Sequence, residues 1–211
     1  MIMTLKFILR FSFVVCFLAA LNACSPVETP EQKNIAVLIE MAKVEADKMK
    51  PIKPKDRTLL TKLRVRKDKM LDTAIYYPED PHSVPTSEIG LTIDEAKNGN
   101  LTLFMHTKYY GFKPLLIQKA WTKIDGNPID VPVKGKWNQI SGSYDSFWEI
   151  SYQPLDSEGI RFIKRLANTP TPTIRFEGQN SHDDYEPSER QIAAIHTVLA
   201  AYEAAMGIDI K

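Results

Sequence analysis

Between Lys62 and Glu177 the chain is a succession of short runs rich in β-branched, leucine and aromatic residues, broken by clusters of Gly, Pro, Asn and Asp. This spacing constrains the fold more than any other feature, because runs of that length suit strands and those breaks suit turns. Residues 71–77, 101–107, 114–124 and 147–152 read as strands, and Ile174 and Phe176 alternating with Thr173, Arg175 and Glu177 mark a shorter one. In Lys62, Leu63, Arg64, Val65 and Arg66 the alternation is strict, which predicts a half-buried strand with two apolar side chains on one face and three cations on the other. Two runs flank Tyr109, Tyr110 and Gly111, and two more are separated by a long polar stretch through Asp125, Gly126 and Asn127, so antiparallel neighbours are expected.

Helical spacing brackets this region. Thr29, Pro30, Glu31 and Gln32 form a capping box with proline at the first helical position, and Ile35, Leu38, Ile39, Ala42, Ala46 and Met49 then recur on one stripe until Pro51. Residues 157–167 return to that period, with Ile160, Ile163, Leu166 and Ala167 on one side. A last helix opens with a capping box at Ser188 and Gln191, carries Ile192, Ile195, Leu199, Tyr202 and Met206, and stops at Gly207. The expected fold is α+β: an antiparallel β-sheet covered by an N-terminal and a C-terminal helix.

The first residues follow a different logic. Lys6 and Arg10 precede an apolar run from Phe11 to Leu21, which is shorter than the roughly 20 residues of a spanning helix and ends in small residues. This is the pattern of an export signal. It closes on Leu21, Asn22, Ala23 and Cys24, and the whole segment resembles the signal peptide and lipobox of bacterial lipoprotein precursors. The resemblance implies cleavage between Ala23 and Cys24, a diacylglyceryl group on the Cys24 thiol, and anchoring in membrane lipid through two or three acyl chains. One chain would hold only marginally; two or more hold stably. It implies a cell-envelope protein; in a Gram-negative cell, Ser25 in place of a retaining aspartate implies the outer membrane, facing the periplasm or the cell surface.

The resulting organisation is a signal peptide over 1–23, a lipidated cysteine and tether over 24–28, and one α+β domain over 29–211. Loss of the leader takes Lys6, Arg10 and Cys16 with it, leaving 188 of the 211 residues and a formal charge of −1. With Cys24 acylated there is no thiol left for a disulfide, a thiolate metal site or a cysteine nucleophile. The domain must hold itself together by packing, and a chain of this size buries roughly 70% of its unfolded surface.

Charge is divided sharply along the sequence. Residues 48–69 hold ten cations against Asp56 and Asp68, a net of +8, which leaves −9 for the rest of the mature chain. The alternating Lys62, Arg64 and Arg66 are the candidate binding residues of this segment, for an acidic envelope protein or an anionic lipid or glycan; nucleic acid is not an expected partner in that compartment. The competing role for these cations is to face the chain's own acids, such as Glu177, Asp183, Asp184, Glu186 and Glu189, or solvent.

Catalytic signals are sparse. His82, His106, His182 and His196 have no metal-site spacing, and Ser141, Gly142 and Ser143 sit in no nucleophile elbow. No phosphate loop or dinucleotide fingerprint appears, so no cofactor is expected. The alternative to a binding module is a hydrolase-like envelope enzyme with its site around His106, or around the consecutive His182, Asp183 and Asp184 in what reads as a polar loop. Among the aromatics, Trp137 lies in a polar segment; it reads as a rim or core residue, with an exposed contact as the alternative.

Overall fold

The computed structural model describes residues 54–79, 86–141 and 146–208. The leader, Cys24, the predicted helix after Pro30 and His82 lie outside these residues.

After a 3₁₀ turn at Thr58–Lys62, the elements follow in the order β1 (Arg64–Asp68), β2 (Thr73–Tyr77), β3 (Glu88–Glu95), β4 (Leu101–Gly111), β5 (Lys119–Ile124), β6 (Asn127–Asp130), β7 (Asn138–Ser141) and β8 (Phe147–Pro154). Helix α1 (Ser157–Ala167), β9 (Ile174–Glu177), β10 (His182–Tyr185) and helix α2 (Glu189–Met206) complete it. Two sheets form where one was expected: a six-stranded sheet in the order β1-β2-β3-β4-β8-β7, and a four-stranded sheet in the order β10-β9-β5-β6. Every strand pairing described is antiparallel. The class is α+β.

The local chemistry explains the elements. Asp156 caps α1 by accepting from the Glu158 and Gly159 amides, and Ser188 and Gln191 close the expected capping box on α2, which ends on Gly207 at φ 60°. Asp125 and Gly126 both take positive φ, the two-residue turn that suits a tight hairpin, so the polar stretch there joins β5 to β6 instead of separating distant strands. The expected strand over 114–124 is confined to its second half, because the amides of Leu115, Leu116 and Ile117 all donate to the Glu149 carboxylate. That bend puts Leu116 at φ 57°.

The main core lies on one face of the six-stranded sheet. Leu91, Ile93, Leu103 and Met105 point inward from β3 and β4, and α2 packs on β3, α1 on α2, and the four-stranded sheet through Phe176 on Tyr109, with ring centroids 5.7 Å apart. The inward side of β8 is polar: Glu149, Ser151 and Gln153 are buried there. Two of them fasten loops, Glu149 as above and Gln153 by accepting from the Lys134 amide. A buried carboxylate of this kind persists because charge-assisted hydrogen bonds replace its hydration.

The opposite, outer face has its own composition. Ile140 and Trp148 form a separate apolar cluster there with Tyr110 and Ile150. Farther along, Phe104 stacks on Tyr152 with centroids 4.9 Å apart.

Candidate functional site

The basic segment forms the β1 edge of the large sheet. Leu63 is buried just ahead of it, but all five residues of β1 are exposed, Val65 included. This corrects the half-buried strand expected from the alternation: among the described residues β1 pairs with β2 alone, and Val65, opposite Tyr76, is exposed. Arg64 and Arg66 share one side of the strand, opposite Tyr77 and Ile75. Lys62 closes the 3₁₀ turn instead of joining the strand. The three expected binding residues are thus all exposed on one edge, two of them on one strand face.

Among the described residues, some of the chain's own acids lie beside this edge. Arg64 reaches Glu79 at 2.8 Å, both groups well exposed, and Arg57, before the strand, reaches Glu95 at 2.8 Å. Acids of the C-terminal half are engaged elsewhere: Arg175 binds both Asp184 oxygens at 2.7 Å, and the Trp121 indole donates to Glu177 at 2.7 Å.

Between β1 and β2 the chain makes a tight hairpin. Asp68 accepts from the Met70 and Leu71 amides at 2.9 and 3.1 Å, and Asp72 takes φ 55°. These constraints leave Met70 and Leu71 at the tip, 96% and 52% exposed. Sequence reading passed over them because Leu71 looked like the start of a strand.

His106 lies on the outer face of β4, where its Nε2 is 3.0 Å from a Glu88 carboxylate oxygen, and Lys108 Nζ is 2.9 Å from the other. Gly90 supplies the space, since a Cβ there would collide with the imidazole. Burial pushes the Glu88 carboxyl up, but the charges of His106 and Lys108 outweigh it and hold the group well below the usual carboxylate range. Lys108 also lies 4.7 Å from the centre of the Trp148 ring. Glu88 was missed in the sequence together with the whole of β3, although the alternation of Ile89, Leu91 and Ile93 signals that strand.

The residues His182, Asp183 and Asp184 form β10, paired with β9, where a polar loop was expected. Successive strand residues point to opposite sides, so Asp183 and Asp184 do not converge on one ligand. Asp183 bears on Tyr109, and Asp184 is held by Arg175, whose hydrogen bonds lower its pKa. His196 is bonded through Nε2 to the Ala167 carbonyl. Trp137 packs edge-on against Phe176 at 5.8 Å, in the rim-or-core role. Among the described residues no group of three or more His, Cys, Asp or Glu side chains is placed to hold a metal, and no helix is long and apolar enough to cross a membrane.

Compared with known proteins, the chain matches no family model, no curated protein and no solved structure.

Proposed function

We propose that this chain is a lipoprotein of the cell envelope, held to a membrane by acyl chains on Cys24 and acting by non-catalytic binding. The observation that carries the binding role is the β1 edge, a strand exposed along its whole length in which three of the five residues, Arg64, Arg66 and Lys67, are cations. Such an edge attracts an anionic counterpart, an acidic envelope protein or an anionic lipid or glycan, and its attraction weakens with salt. The Cys24 tether would keep the edge close to that counterpart and raise its effective concentration.

The test is capture from the producing cell after cross-linking, with the triple variant Lys62→Glu, Arg64→Glu and Arg66→Glu in parallel. Binding that falls with salt and disappears in the variant supports the reading. Capture that survives both changes defeats it.

One observation favours a second reading, an envelope hydrolase with its site around His106: the Glu88 carboxylate could orient that imidazole as the acid of a triad orients its base. A His106→Ala chain that melts like the parent yet loses its cellular phenotype would move the assignment to the enzyme. The His182, Asp183 and Asp184 site has no comparable support: Asp183 points to the other side of β10, and Asp184, on the side of His182, has both carboxylate oxygens bound by Arg175.

A further inference from the structure

The hairpin tip between β1 and β2 combines two features that the binding role alone does not require. Met70 and Leu71 are adjacent, apolar and 96% and 52% exposed, and they sit at the outermost point of a turn. Beside them Arg66, Lys67 and Lys69 stand against Asp68 and Asp72, a net of +1 across residues 66–72, while Lys62 and Arg64 lie toward the other end of β1, where Arg64 is opposite Tyr77 and reaches Glu79. Single exposed apolar residues are ordinary; a pair at a tip, with three cations within four residues of it, is the composition of a group that enters the headgroup region of an anionic bilayer.

We infer that the β1–β2 hairpin is a second membrane contact, with Met70 and Leu71 entering an anionic leaflet and Arg66, Lys67 and Lys69 meeting its headgroups. The proposal rests on the lipid-tether reading, since it commits to the leaflet that holds Cys24. A lipid surface suits the shape better than a folded protein does. A turn has no walls to enclose a partner's side chain, whereas a fluid interface closes around a convex tip without matching it. The Asp68 hydrogen bonds to the Met70 and Leu71 amides fix the turn in advance, so little ordering is needed on contact.

The experiment uses the full chain, carrying Cys16→Ser, purified from membranes and reconstituted into vesicles either rich in phosphatidylglycerol or made of phosphatidylcholine alone. A Met70→Cys variant is labelled with a thiol-reactive fluorophore and exposed to nitroxide-bearing lipid or to aqueous iodide. Quenching by the lipid nitroxide in anionic vesicles is expected. It should fall about tenfold when Arg66, Lys67 and Lys69 are changed to Glu, and similarly in phosphatidylcholine. Quenching by iodide alone, or equal lipid quenching in both vesicle types, overturns the proposal. The parent chain without Met70→Cys is labelled beside it. Label taken up at Cys24 means that this thiol is not acylated and defeats the tether reading, while the signal from position 70 still reports on the hairpin.

Discussion

The centre and the β1 edge of the six-stranded sheet are built from the same backbone pairing and differ in nearly everything else. In β3 and β4 every second side chain is sealed under α2 and its neighbours; in β1 none is. The difference is one of packing. Stability resides where both sides of a strand find partners, and the edge proposed as a binding surface lies where the described sheet runs out of them.

The contrast breaks most visibly at the centre. Phe176 is fully buried against Tyr109, Trp137 and Tyr185, and Phe176→Ala should cost about 3–5 kcal/mol, read as a lower midpoint in urea unfolding. A loss below about 1 kcal/mol would mean that the two sheets do not share this core.

The outer face sharpens the comparison through pH. Glu88 is held below the ordinary carboxylate value of 4.5 in the folded chain, so its contribution is fully present above that value and is lost as pH falls below it toward the folded pKa. Unfolding measured from pH 7 to pH 3 should therefore show a shallower acid loss in Glu88→Gln than in the parent, together with lower stability at neutral pH. An unchanged acid slope would show that the pairs with His106 and Lys108 do not persist in solution.

The smallest effect belongs to the edge. Arg66→Glu should alter the unfolding free energy, read from urea unfolding, by no more than about 0.5 kcal/mol, since the side chain is exposed and charge pairs there are weak. A loss of several kcal/mol would place Arg66 in the fold's own support and away from a binding role.

These regions were not equally legible in the sequence. Helices α1 and α2 and strand β9 stand where their periods and caps put them, because each buries one continuous apolar stripe. Strand β8 shows why the sheet was harder. Its apolar alternates Trp148, Ile150 and Tyr152 face outward, and its buried alternates Glu149, Ser151 and Gln153 are polar. Alternation reveals a strand but not its orientation when loops instead of solvent satisfy the polar side. At the candidate site, the exposure of Lys62, Arg64 and Arg66 followed from their charge. The pairing of Glu88 with His106 across β3 and β4 depends on a register that composition does not encode.

The carboxylate of Glu149 has one more consequence. By gathering the amides of Leu115, Leu116 and Ile117, it fixes the passage from the large sheet to the small one, and the next residue, Gln118, donates its own amide to Glu177 of β9. Gly178 then leaves room for the Leu115 carbonyl, which a larger residue would displace. A single buried acid thus serves as a rivet between two sheets that share no strand pairing, at the one stretch of chain that runs from β4 to β5.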